Sequence, residues 1–376
     1  MLTAIRSLVM KDLKISIRNP SMLILSIIVP VVFIFLYSLV AQVSFTNPVA
    51  ISKASDGPYS DQLVNTMEEM KSVDGSYFEI ITTNPEQAEK KYQDGKVSGM
   101  IEIPKSFDED LEKGIQPEVK LSVHNINADT TKNLELRLSH AAYLFQEELA
   151  PDQSIHVTNS YSKFKEDVSF KWYTGVGLLV FAVLYASMVN TGMLLTREWE
   201  DRTSKELILT PAGFSSVILG KWMTSLIQTF ISTLLVLVIL VFMLDFPLAH
   251  IDITFIFWLF ILFFLGASIG AFAASTIKKT LPIITLSAVI GISIYLISGN
   301  ESSIRGFAYG GFVEYLWKVA TYIPVTDITN QLRLIVITGD STFSLISFIT
   351  TAGLILAFTV ASIFMLRKGL RHSGGQ

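Results

Sequence analysis

Seven charged side chains crowd into residues 197–206: Arg197, Glu198, Glu200, Asp201, Arg202, Lys205 and Glu206. Residues 172–196 before this island carry no charge, and another charge-free run, 222–244, follows soon after. Within the island, Thr203-Ser204-Lys205-Glu206 has the pattern of a capping box, with Thr203 as N-cap and Glu206 reaching back to it. The pattern predicts a short capped helix over 204–209 that presents Leu207, Ile208 and Leu209 and stops at Thr210-Pro211-Ala212-Gly213. Ordered structure of this kind, between two apolar runs, suits the transmission of force from a soluble partner. A plain capped connector remains the competing reading.

The other residues that could do chemistry point nowhere as specific. His124, His140 and His156 stand 16 residues apart, which is not the i,i+3 or i,i+4 spacing of a helical metal pair. The acids of residues 108–112, DEDLE, read as a solvated helix face, and no Gly-x-Ser-x-Gly nucleophile elbow appears. The absence of cysteine excludes disulfides, thiolate metal sites and thiol nucleophiles. The stretch GFSSVILGKW at 213–222 fails as a phosphate loop: six residues separate Gly213 from Gly220, and Trp222 follows Lys221. The chain is therefore not expected to be an enzyme, and it has no cofactor of its own.

The elements that must position the island are membrane helices. Half of the 376 residues are hydrophobic and only 16% are charged, where a soluble chain carries about 25%. A spanning helix needs about 20 mostly apolar residues. The charge-free runs predict six spans, at 21–41, 172–195, 222–244, 253–276, 281–298 and 343–366. With the N-terminus in the cytoplasm, the inner side collects 13 basic residues, from Arg6 and Lys11 to Lys368 and Arg371, and the short outer loops hold only Arg305, Lys318 and Arg333. That bias predicts cytoplasmic N- and C-termini and places the charged island inside.

Residues 1–20 read as an amphipathic helix lying along the inner surface, an uncleaved anchor more than a signal peptide. Ser7, Lys11, Lys14 and Arg18 share one face of it, and Leu2, Ile5, Val9 and Leu13 share another. Residues 41–171 contain 13 Lys+Arg against 22 Asp+Glu, a balance of −9, while the rest of the chain is basic. Alternating strand-like and helix-like pieces make residues 42–170 a small α/β domain on the outer side. Residues 302–340 hold an apolar stretch with Glu314 and Lys318 at i,i+4, a Gly310-Gly311 pair and Pro324. They read as an outer re-entrant or interfacial helical pair, or as an ordinary amphipathic loop, but not as a seventh span. The fold class is thus an α-helical polytopic membrane protein with six transmembrane helices, an N-terminal interfacial helix, an outer re-entrant pair and an α/β extracytoplasmic domain between the first two spans.

The spans contain almost no ionisable residues, which argues against a proton- or sodium-driven carrier. Their walls of Phe, Leu, Ile, Ser and Thr suit an apolar or amphipathic cargo.

The segment REWEDRTSKELILTPAG followed by VILGKW resembles the cytoplasmic coupling segment of ABC exporter permeases of the second exporter type. The matching positions are Glu198, Glu200, Thr203, Leu207, Pro211, Gly220 and Lys221. Residues 11–37 look like that family's interfacial helix and first span, and residues 322–336 look like its outer segment before the last span. The large domain between the first two spans is similar to the branch of bacterial drug, lipopeptide and polyene antibiotic exporters, including linearmycin-resistance-like permeases. The resemblance implies a multi-pass protein of the bacterial plasma membrane, paired with a second permease, identical or paralogous, and with two cytoplasmic ATPase subunits. ATP and Mg would be bound by those ATPases and not by this chain. The remaining expected partners are the lipid bilayer and a hydrophobic or amphipathic small molecule, with no nucleic acid. Glu206 and its neighbours would receive the push, and the region of Glu314, Lys318 and Pro324 would form the outer gate. A sodium-extruding permease, and a surface sensor or scaffold whose outer domain binds a ligand, are the alternatives.

Overall fold

The computed structural model describes residues 2–125, 129–150, 168–203, 213–300, 310–341 and 343–373. The chain forms two compact units, Leu39–Ser169 and the combination of Met1–Ser38 with Phe170–Gln376.

The smaller unit is α/β. Its main sheet has four strands: β1 (Asn47–Lys53), β4 (Phe78–Thr82), β5 (Gly99–Ile103) and β6 (Lys120–Val123). The order is β4-β1-β5-β6. β1 runs parallel to β4 and β5, and β6 closes the edge antiparallel to β5. The short strands β2 (Lys71–Ser72) and β3 (Gly75–Ser76) make a separate hairpin. Four helices complete the unit: α3 (Pro58–Glu69), α4 (Pro85–Gln93), α5 (Phe107–Glu112) and α6 (Asp129–Leu149). Helix α4 starts where an Asn-Pro pair predicts it, with Asn84 Oδ1 accepting from Gln87 N at 3.1 Å. The core joins Val49, Ile51, Ile101 and Ile103 of the sheet to Leu63 and Met67 of α3 and to Leu134, Ala141 and Phe145 of α6. His124 stacks on Tyr92 with ring centroids 4.3 Å apart.

One acid departs from the solvated-face reading of residues 108–112. Asp108 is buried and accepts from Ser55 Oγ at 2.6 Å, Tyr59 N at 2.7 Å and Ser60 N at 3.2 Å. It serves as a remote cap for α3, whose own N-cap, Gly57, supplies no side chain. Burial works to raise the Asp108 pKa. The hydrogen bonds from Ser55, Ser60 and Tyr59 outweigh it and hold the group below its ordinary 3.8. A depressed carboxylate contributes stability above its unfolded pKa and loses it as pH falls through the folded value. Proteolytic protection of this unit in the intact chain should therefore hold from neutral pH down to about pH 4 and fall below it. Asp108→Ala should flatten that dependence and cost about 1–3 kcal/mol by stranding two backbone donors.

The larger unit is helical: α1 (Leu2–Arg18), α2 (Ser21–Phe45), α7 (Phe170–Glu200), α8 (Phe214–Leu244), α9 (Ile253–Ile277), α10 (Thr280–Ile297), α11 (Gly311–Ala320), α12 (Pro324–Thr338) and α13 (Leu345–Ser373). Among the described residues, five helices are long and apolar enough to cross a membrane: α7, α8, α9, α10 and α13. The first expected span falls on α2, a 25-residue helix whose described apolar stretch, Ile24–Leu39, is shorter than the other five. Asn19 and Pro20 separate α1 from α2 as their sequence predicts. α9 begins with Asp252 Oδ1 accepting from Phe255 N at 2.7 Å and ends with Lys278 in the left-handed region. Residues 310–340 hold two helices, α11 and α12, too short to span. α11 carries the Glu314–Lys318 pair at 2.8 Å, and Pro324 opens α12.

Helix α7 is the hub. Its apolar length is entirely buried, surrounded by α8, α9, α10 and α12. Glycines bring α9 against it: an added Cβ on Gly266 would lie 2.0 Å from Ser187 Oγ, and one on Gly270 would lie 2.3 Å from the Met188 carbonyl oxygen. The two glycines are four residues apart on one face, a small-xxx-small arrangement that lets helix backbones touch. The helix also runs further than the predicted 172–195 span, to Glu200, because the first charges of the island find partners inside the protein.

Candidate functional site

Lys221 stands in the third turn of α8 and is 1% exposed. A buried ammonium requires counter-charge, because desolvation costs several kcal/mol per ion. Two carboxylates from distant parts of the chain supply it. Asp12 of α1 lies 2.9 Å from Lys221 Nζ, and Glu198 near the end of α7 lies 2.5 Å from it. Lys11 Nζ donates to both Glu198 oxygens at 3.1 Å from the rim of the cluster, and Thr203 Oγ1 donates to Glu198 Oε2 at 2.5 Å. Two cations and two carboxylates balance. Burial pushes the Asp12 carboxyl above the usual carboxylate range, against the opposing pull of Lys221.

Local structure brings these groups together. Gly220 lets α1 approach closely, since a Cβ there would sit 3.1 Å from Leu8 Cβ. Two turns further along α8, Gln228 Nε2 donates to Ser16 Oγ at 2.9 Å, and Ser16 Oγ donates to the Asp12 carbonyl. The contact thus extends over two turns of each helix. Beyond it, α7 and α8 are joined by buried hydrogen bonds from Asn190 to Thr229 at 3.2 Å and from Thr191 to Ser225 at 2.8 Å.

Glu200 serves a different element. Two residues along a helix is about 200° of rotation, so Glu200 faces away from Glu198. It accepts from Thr280 N at 2.7 Å and Thr280 Oγ1 at 2.6 Å, capping α10 from outside. Thr196 Oγ1 lies 2.9 Å from the same hydroxyl, and Lys278 rests over the Trp199 ring at 5.7 Å. The last turn of α7 therefore holds α1 and α8 through Glu198 and α10 through Glu200. Arg197 pairs with Asp201 at 3.0 Å, and Arg202, with φ 60°, ends the helix.

Of the residues singled out in the sequence, Lys11, Glu198, Thr203, Gly220 and Lys221 meet here, and Glu200 caps α10 on the other side of α7. Thr203 uses its hydroxyl on Glu198; the Glu206 half of the capping box, with Leu207 and Pro211, lies outside the described residues. Lys14 and Arg18 are exposed, Asp12 and Ser16 are buried, and Ile5, Val9 and Leu13 are half-buried. Asp12 was not singled out. Its signal was present: it is the only acid before residue 53, set in a basic helix. Glu314, Lys318 and Pro324 are not part of this cluster.

The arrangement contains no exposed nucleophile, and among the described residues no group of three or more His, Asp or Glu side chains could hold a metal. Chemically it is a rigid joint. Three helices from remote parts of the sequence are pinned at the point where the chain leaves α7 for residues 204–212.

Comparison with known proteins identifies the family. Residues 20–366 match the ABC-2 family transporter protein profile. Over 87% of its length the chain is 21% identical to the probable multidrug ABC transporter permease YbhR of Escherichia coli K12, covering 89% of that protein. It is 22% identical to YbhS of the same organism, also a probable multidrug ABC transporter permease, over 88% of this chain and 92% of the relative. With the inner membrane transport permease YhhJ of E. coli K12 it shares 22% identity over 95% of each. A family match over nearly the whole length, on a chain of apolar helices pinned at a charged exit, has one meaning: this protein belongs to the ABC-2 transporter family.

Proposed function

We propose that the chain is the transmembrane permease subunit of an ATP-driven exporter that moves a hydrophobic or amphipathic compound, such as a drug, lipopeptide or polyene antibiotic, out of a bacterial cell. The observation that carries this reading is the joint around Lys221. An ordered link from the exit of α7 to α1, α8 and α10 is what a helix bundle needs if a push on residues 204–209 is to move it as one body. In this reading the membrane is crossed six times, by α2, α7, α8, α9, α10 and α13. The joint is cytoplasmic, with both termini, and the α/β unit is outside. Two permeases flank the cargo path, and two ATPase chains bind ATP and Mg and press on the coupling segment. The region of α11 and α12 serves as the outer gate. The relatives with multidrug names support the cargo class, and the acid-poor spans disfavour sodium extrusion.

Leu207→Asp or Glu206→Ala should uncouple the complex: the permease inserts and binds its ATPase, while cargo-stimulated ATP hydrolysis falls at least tenfold. Purification of the tagged chain from its native membrane in mild detergent, with mass spectrometry of what accompanies it, tests the assembly. A co-purifying chain with a phosphate loop supports the exporter. A chain that comes alone, even after cross-linking at residues 204–209, favours a sensor or scaffold and overturns it.

A further inference from the structure

At the other end of α7 lies a buried cation whose partners are unlike those of Lys221. Arg333 of α12 is 2% exposed. Its Nε donates to the Tyr173 carbonyl at 3.1 Å, Nη1 to the Gly299 carbonyl at 3.0 Å and Nη2 to the Asn300 carbonyl at 2.7 Å. The guanidinium carbon also sits 3.4 Å from the Tyr173 ring centroid. Among the described residues, these carbonyls and this ring are its hydrogen-bonding and stacking partners. A charge held by carbonyl dipoles and a ring, with no carboxylate partner among the described residues, is held through geometry, and the planar fork of arginine can reach several carbonyls where a lysine cannot.

The carbonyls belong to two helix ends. Tyr173 is in the first turn of α7. Gly299 and Asn300 close α10 with a Schellman pattern, Asn300 N donating to Tyr295 O and Gly299 N to Leu296 O, with Gly299 at φ +67°. Arg333 adds α12 to that junction and sits where a helix C-terminus favours a cation.

The same junction buries polar groups that gain nothing from being closed. Among the described residues, both amide atoms of Asn300, which is fully buried, have no hydrogen-bond partner, and neither have Thr174 Oγ1 and Ser298 Oγ. Asn300 lies directly on α7: a Cβ on Gly177 would fall 2.1 Å from its carbonyl oxygen. One set of interactions, the Arg333 fork, therefore favours the closed junction. Another set, four unmet polar atoms, would be relieved by water. Opposed terms of this kind lower the cost of opening the joint.

We propose that Arg333 is a latch that holds the ends of α10 and α12 against the head of α7, and that its release parts this end of the bundle and hydrates Asn300, Thr174 and Ser298. Placing this latch at the outer gate rests on the permease reading above; its existence does not. The absence of cysteine in the chain allows a clean reporter. Ser298→Cys is introduced in the purified permease in lipid nanodiscs, where a water-soluble maleimide reaches both faces, and its labelling rate is measured. Ser268→Cys, fully buried in α9, is the control. Arg333→Gln should speed labelling of position 298 at least tenfold and leave position 268 unchanged. Gly177→Ala should do the same by wedging Asn300 off α7, and Arg333→Lys should fall between. Unchanged labelling at 298 in both Arg333→Gln and Gly177→Ala would overturn the latch. So would equal acceleration at 268, which would make Arg333 a general support of the fold. These readings need no ATPase, so failure to find one bears on the permease reading alone. Where the complex is active, position 298 should label faster during ATP turnover, and equal rates with and without ATP would overturn the latch's part in transport.

Discussion

Lys221→Ala should destabilise the protein by about 3–5 kcal/mol, because it leaves two buried carboxylates facing each other without their shared cation. Asp12 and Glu198 are both held by Lys221 Nζ, and only Glu198 has a second cation, Lys11, at the rim. The variant should appear as a large fall in the melting temperature of the detergent-solubilised chain and a loss of monodisperse protein. Stability and coupling can be separated by a second variant. Replacing Lys221, Asp12 and Glu198 together with Met, Leu and Met removes every deeply buried charge of this joint at once. Such replacements are often neutral or stabilising. The triple variant should therefore melt near the wild-type temperature and still fail to couple, read as cargo-stimulated ATP hydrolysis in the reconstituted complex. Normal coupling by the triple variant would show that the network is only structural.

Gly270→Val should prevent α9 from seating on α7. Its Cβ would meet the Met188 carbonyl oxygen at 2.3 Å and the Met188 C and Cα at 2.9 Å. These are backbone atoms in the most buried helix, so no side chain can swing away. Overpacking with alanine costs about 1–3 kcal/mol, and valine adds two more methyl groups at the same point. Gly266 faces the same problem one turn earlier, against Ser187 Oγ and the Leu184 carbonyl. Gly353→Val on α13 is the matched control, since nothing lies within 4 Å of its Cβ position. A melting temperature equally lowered by both variants would mean that the cost is valine in a membrane helix and not the α7–α9 contact.

Much of this architecture was legible in the residues. Charge-free runs located α9 and α10 to within a residue at each end and the apolar cores of α7, α8 and α13, because apolar length is a requirement of the bilayer and not of any particular neighbour. The strand-like pieces expected within residues 42–170 include those that form β1, β4, β5 and β6. The glycine pair at 310–311 and Pro324 bracket α11 and open α12 through backbone geometry alone.

Partners far apart in sequence were not legible. Helix α7 overran its predicted end because Glu198 is neutralised by Lys221, 23 residues away, and Glu200 accepts hydrogen bonds from Thr280, 80 residues away. α1 shows the same limit. Its periodicity showed a basic and an apolar face, but not that the side chains it buries are Asp12 and Ser16, because that depends on the Lys221 and Gln228 offered by the surface it meets on α8. The stretch 108–112 looked solvated, and Asp108 is buried because the start of α3 lacked a cap of its own. In each case composition and periodicity determined that a helix would form and how long it could be. The tertiary structure alone decided which polar groups could afford burial, because that depends on whether an opposite charge or a free backbone donor arrives from elsewhere in the chain.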